Sequence, residues 1–165
     1  MSDEFAHLPY RPCVGVMLVN QHGHVFVGQR IDDKAKNPDS PYWQMPQGGI
    51  DPGEEVREAA LRELWEETGV GEHHAQVIAQ TREEVLYDLP DDLMGRIWGG
   101  KYRGQRQHWL LARFTGEDAD VRIDAHDPAE FCAWKWLDPD LLPELIVPFK
   151  KRVYRAVLDE FRDLI

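Results

Sequence analysis

The chain has 165 residues, 42% of them hydrophobic, and a formal net charge of −11. That length suits one domain, residues 1–165, built on a single core. The acidic balance excludes general, salt-driven binding to a DNA duplex, which needs a basic face, but not a phosphorylated substrate whose charge is offset by metal ions. No apolar run approaches the ~20 residues of a membrane span. The N-terminal "MSDEFAHLPYRP" has neither the basic nor the apolar region of a secretion signal. A soluble, cytoplasmic protein with no membrane partner is the expectation. Cys13 and Cys132 lie far apart, outside any CxxC pattern, and read as small buried hydrophobes in a reducing compartment.

In chain order, "CVGVMLVN" (13–20) is a Val-rich buried strand, "QHG" a turn, and "HVFVGQR" (24–30) the returning strand of a hairpin. "DDKAKNPDSP" (32–41), polar with two prolines, reads as a loop. "YWQMP" is a short extended piece. Gly48, Gly49, Pro52 and Gly53 build a tight loop before a helix of about 14 residues that stops at Gly69. "AQVIAQTREEVLYDL" (75–89) reads as one long strand with a bulge or change of face, and "PDDLMGRIWGG" as a surface loop in which Trp98 covers a site. "QHWLLARF" (107–114) and "CAWKWL" (132–137) are further strands. Pro148 opens a C-terminal helix whose apolar face is Phe149, Val153, Val157, Phe161 and Leu164. Strands flanked by two good helices give an α/β fold, a mixed sheet packed between helices. Basic residues cluster in "KYRGQR" and "FKKRVYR".

The segment "GGIDPGEEVREAALRELWEETGV" (48–70) holds seven carboxylates. At ~100° per residue, Glu63, Glu66 and Glu67 share an arc of about 100°, beside an apolar stripe of Ala60, Leu61, Leu64 and Trp65. The three glutamates repel one another and sit in the C-terminal turns, where the helix dipole disfavours negative charge. A hard divalent cation would reverse both penalties. The competing reading is a solvated acidic face with Arg57 and Arg62 as partners. His73, His74 and His126 fit no metal-binding spacing and read as surface residues.

The order Gly48, five residues, Glu54, seven residues, Arg62-Glu63-Leu64, Trp65, Glu66-Glu67, Thr68, Gly69-Val70 resembles the full Nudix box, with each of its fixed positions filled. The resemblance implies an α/β/α sandwich around a mixed sheet and hydrolysis of nucleoside diphosphates linked to another moiety, with Mg²⁺ or Mn²⁺ and more than one ion. It implies that Glu63, Glu66, Glu67 and Gly48 hold metal and that Glu54 pairs with Arg62 to shape the loop. Further stretches, "YRPCVG", "WQMPQGGID", "PAEFCAWKW" and "VPFKKRVYR", resemble the bacterial RNA pyrophosphohydrolases and the related asymmetric dinucleoside tetraphosphate hydrolases. From that likeness, Arg11 and Arg30 contact phosphates near an RNA 5′ end. Tyr42, Tyr87, Gln105 and Lys150 contact substrate, Val147 and Phe149 sandwich a base, and Glu130 binds metal or acts as general base.

The implied reaction is hydrolysis of a phosphoanhydride by water, with RNA 5′-triphosphate ends as substrate and release of pyrophosphate. The segment 32–41 and Tyr42 resemble the dinucleoside tetraphosphate hydrolases and keep that substrate as the alternative. A hydrolase of another nucleotide conjugate, such as ADP-ribose, is a further reading. A binding module without catalysis is the remaining one, opposed by the intact Arg62-Glu63 and Glu66-Glu67 pairs.

Overall fold

The computed structural model describes residues 5–165; the first four residues of the stretch read above for a secretion signal lie outside it. Two long strands, β1 (Tyr10–Val19) and β6 (Gly104–Phe114), run parallel side by side, in register from Tyr10–Gly104 to Val19–Arg113. Each shares its other edge between two shorter antiparallel strands. β1 pairs with β3 (Gln47–Gly49) at its start and with β2 (Val25–Arg30) at its end. β6 pairs with β5 (Val85–Asp88) at its start and with β4 (Ala75–Gln80) at its end. β7 (Phe131–Leu137) completes the sheet against β2. The sheet is mixed, as the strand pattern led one to expect.

Both faces of the central strands are covered, so they read as near-continuous apolar runs rather than alternating ones. Val14, Val16 and Leu18 of β1, with Leu110 and Ala112 of β6, face helix α2 (Val56–Thr68). Met17, Val19, Trp109 and Leu111 face the opposite layer, formed by α3 (Leu142–Leu145) and α4 (Lys151–Phe161). The result is the expected α/β/α sandwich. Helix α2 seats on the sheet through Ala59, Ala60 and Leu64, all fully buried. It ends where anticipated: Gly69, at φ +73°, closes the last turn, and a Cβ there would also meet the Arg122 carbonyl at 2.7 Å.

Several expectations are corrected. Residues 32–41 are not all loop: α1 (Ile31–Lys36) occupies the start, with Asp32 and Asp33 in its first turn and Lys34 and Lys36 in its last. Both prolines fall after it, so nothing interrupts the turn, and its charges suit the dipole. Gly48 and Gly49 belong to β3, not to the turn that follows. The long strand 75–89 is two, β4 and β5. Thr81 keeps pairing with Trp109 through its N–H and hydroxyl, and the chain then leaves the ladder before β5. Trp65 is half-exposed rather than part of the seating stripe, resting instead against His126. His126 and His74 are themselves half-buried, not fully on the surface. Cys13 is buried as expected, but Cys132 is exposed. Leu164 falls beyond α4 in a 3₁₀ turn and is also exposed.

Gly15 of β1 lies across from Trp109 of β6, and a Cβ on Gly15 would come within 2.5 Å of the indole. The largest fully buried side chain of the core thus needs a bare backbone beside it. Gly15→Ala is expected to destabilise the fold by about 1–3 kcal/mol through overpacking, measured by urea denaturation.

Candidate active site

The β3–α2 connection is organised by one guanidinium. Arg62 donates through Nε and Nη2 to the two Glu54 carboxylate oxygens at 2.7 and 2.8 Å. Nη1 donates to Glu63 at 2.9 Å and Glu66 at 3.2 Å, and Nη2 also reaches the Gly49 carbonyl at 3.0 Å. All five N–H groups of the fork find acceptors. The Glu54 carboxylate in turn accepts from the Asp51 N–H at 2.8 Å, tying the turn to the helix. Hydrogen bonds from Arg62 hold the Glu54 pKa down at about 2. The inferred Glu54–Arg62 brace is present.

The three glutamates of the helix face part company. Glu67 is buried, and its carboxylate accepts from the Gln47 N–H at 3.1 Å. Burial, then the charges of Glu63 and Glu130, push its pKa well up. Glu63 is raised too, first by burial and against the pull of Arg62. Glu66 is held by Arg62, with 44% of its side chain exposed, and does not line the cleft. Its carboxylate accepts from the guanidinium at the i−4 position instead.

Glu63, Glu67, Glu130 and Gly48 line one cavity of about 600 Å³. So do Arg11, Arg30, Tyr42, Tyr87, Gln105, Val147, Phe149 and Lys150. The structure therefore brings together the residues that the sequence separated by up to 139 positions, from Arg11 to Lys150, leaving out only Glu66 and the Glu54–Arg62 brace. Arg11, Gln105 and Tyr87 form a single row across β1, β6 and β5, each directly opposite the next. Arg11 lies 5.7 Å from the centroid of the Trp98 ring, which also lines the cleft, as expected of that loop. Arg30 is bidentate to Asp32 at 2.8 Å and lies 3.8 Å from Glu130. The Lys150 ammonium sits 5.8 Å from the centroid of Tyr87, and burial followed by the charge of Arg30 pulls its pKa down to about 8. Phe149 serves two ends: it packs on the core and meets Tyr87 at a centroid distance of 5.9 Å on the cleft wall.

Among the described residues no three His, Cys, Asp or Glu side chains stand at ready-made metal spacing. The donors nevertheless suit a hard divalent ion. A Cβ on Gly48 would collide with the Glu63 carboxylate, so the glycine is what lets that carboxylate lie against the backbone of β3. Carboxylates whose pKa is raised by burial and by neighbouring carboxylates, as at Glu63 and Glu67, are groups that a cation would stabilise. Sequence reading missed Gln47. Its Oε1 is buried with no partner and it lines the cleft; its place one residue before Gly48 was the available signal.

The family model for the NUDIX domain matches residues 9–157. The chain belongs to the Nudix family. An RNA pyrophosphohydrolase of Novosphingobium aromaticivorans is 69% identical over 165 residues, covering all of both chains. Among solved structures, the E. coli dihydroneopterin triphosphate pyrophosphohydrolase superposes with a TM-score of 0.66 at 23% identity, over 88% of this chain and 94% of that one. A C. elegans Ap4A hydrolase gives 0.61 at 17% identity, over 92% and 98%. These structural likenesses concern the Nudix fold. No helix among the described residues is long and apolar enough to cross a membrane.

The brace has a pH signature. Because the Glu54 pKa is depressed in the folded state, its contribution is complete above its ordinary value of 4.5 and is lost as pH falls toward 2. Glu54→Gln is expected to lower the melting temperature at pH 7 by roughly 3–6 °C. Thermal melts from pH 7 to pH 2.5 should show the gap to the parent chain closing below pH 4.5.

Proposed function

We propose that this Nudix chain hydrolyses the 5′-triphosphate end of RNA to a monophosphate, releasing pyrophosphate, in the cytoplasm. The observation that carries the reading is the composition of one cleft. Glu63, Glu67 and Glu130 line it together with the cations Arg11, Arg30 and Lys150, and with an aromatic wall of Tyr87 and Phe149. The full-length likeness to an RNA pyrophosphohydrolase supports the same substrate.

Divalent metal, Mg²⁺ or Mn²⁺ and more than one ion, held by Glu63, Glu67, Glu130 and the Gly48 backbone, with Glu66 joining by turning from Arg62, would offset phosphate charge and acidify water. The chain's own groups do the rest. Arg11 and Lys150 donate to phosphate oxygens and fix the polyphosphate along the sheet. Arg30, pinned by Asp32, holds its charge at the α1 side of the cleft. Glu130 at the rim and Glu67 below it are the carboxylates available to accept the proton of the attacking water. As the new P–O bond forms, the phosphoanhydride P–O bond opposite breaks and the departing phosphates leave with its electron pair. A base between Val147 and the Phe149–Tyr87 wall would gain about 1–3 kcal/mol from stacking with little sequence preference.

A second substrate class, dinucleoside tetraphosphates, is favoured by one feature. Helix α1 and Tyr42 reach the same cleft, adding a second aromatic surface where a second nucleoside would lie.

Two measurements test these readings. Glu67→Gln should cut turnover by about 10³-fold or more. In metal-free protein it should leave the melting temperature unchanged or higher, because a buried carboxylate with a raised pKa is replaced by a neutral amide; near-normal turnover would refute the assignment. Rates on 5′-triphosphorylated short RNA, diadenosine tetraphosphate and free nucleoside triphosphate should rank RNA first, with Mg²⁺ and with Mn²⁺. RNA reacting no faster than free nucleoside triphosphate would remove the RNA reading.

A further inference from the structure

Three side chains on one face of β6 form a hydrogen-bonded relay beneath the cleft. The indole Nε1–H of Trp109 donates to Gln107 Oε1 at 2.7 Å, and Gln107 Nε2 donates to Gln105 Oε1 at 2.7 Å. All three residues are buried. An indole N–H can only donate, whereas an amide can present either end. The direction of the whole relay is therefore set at Trp109. Gln107 must turn its oxygen to the indole, so it offers its NH₂ group onward, and Gln105 must answer with its oxygen. Gln105 lines the cleft, and with its oxygen engaged by Gln107 only its NH₂ remains free to donate there.

Trp109 itself has no freedom to reverse this. Its backbone N–H donates to the Thr81 hydroxyl and its carbonyl accepts from the Thr81 N–H. Its ring meets Tyr154 edge-on at 5.8 Å, and Tyr154 is anchored by accepting from the Met45 N–H at 2.8 Å. Gly15 lacks the Cβ that would displace the indole.

We infer that Gln107 and Trp109 are positioning residues that lock Gln105 as a one-way hydrogen-bond donor, so that its place in the cleft accepts an anionic phosphate oxygen. Gln105 stands between Arg11 and Tyr87 in the cross-strand row, at the join of the cationic side and the aromatic wall. A donor beside Arg11 adds a second, neutral contact to the polyphosphate. A freely turning amide would present its oxygen half the time and repel the same group. The inference rests on the phosphoanhydride reading of the cleft but not on RNA as the substrate.

The test is a double-mutant cycle on the full chain, using inorganic triphosphate as binding probe and triphosphorylated RNA and free nucleoside triphosphate as substrates. Trp109→Phe removes the donor that sets the direction. It is expected to raise KM and weaken triphosphate binding about 5–10-fold, with kcat within about twofold. Gln105→Met should weaken binding by a similar factor. Adding Trp109→Phe to Gln105→Met should then change nothing further, because the indole acts only through that amide. Equal losses from Trp109→Phe with and without Gln105 would overturn the relay and leave Trp109 a packing residue. Gln107→Met, which cuts the relay between its ends, gives the same comparison should the Trp109 variant fail to fold. Loss of the RNA preference with the cycle intact would count against the substrate reading alone; a flat response to Gln105→Met with every probe would overturn the inference.

Discussion

The Arg62 guanidinium is the constraint on which the site depends. It gathers Glu54, Glu63, Glu66 and the Gly49 carbonyl around one cation, and so fixes the β3–α2 turn against the helix that follows. Without that fork the acidic turns of α2 would repel one another and splay. Its reach also divides the glutamates. Glu54 and Glu66 are compensated by it, Glu63 is shared between it and the cleft, and Glu67 lies beyond it with two other carboxylates for electrostatic neighbours. The charge that Arg62 does not cancel is the charge a metal would find.

The sheet supplies the other half of the cleft. Because β1 and β6 are long and each shares an edge between two short strands, residues distant in sequence fall into straight rows. Arg11, Gln105 and Tyr87 are such a row, and Gly15 with Trp109 lies four residues further along the same strands. Cleft lining and core packing are thus successive rungs of one ladder, and a change in the core at Trp109 has a direct line to the cleft.

Much of this was legible in the sequence, for identifiable reasons. The spacing of Gly48, Glu54, Arg62, Glu63 and Glu67 is local, and a helix start, a glycine stop and a 3.6-residue period read directly from it. The strands buried on both faces announced themselves by unbroken apolar runs. What escaped was non-local. Nothing in "DDKAKNPDSP" shows that its prolines both fall beyond a turn of helix, and nothing in "TREE" shows that Thr81 stays bonded to Trp109 while its successors leave. Trp65 looked like part of an apolar stripe, but the stripe had enough in Ala59, Ala60 and Leu64, and the indole went to His126. Glu66 carried the same local signal as Glu67, and only the reach of Arg62 separated them.

The parallel pairing of β1 with β6 joins parts of the chain far apart in sequence. Val19 and Val25 can meet through a short turn, but Tyr10 finds Gly104 only after the intervening chain has been drawn in. Such high contact order makes closure of that pair slow, since the entropy of a long loop is lost before any contact repays it. The Arg11–Gln105–Tyr87 row straddles that seam. A chain could form the α2 helix and its Arg62 brace early, as local structure, while the cleft row waits for a long-range pairing.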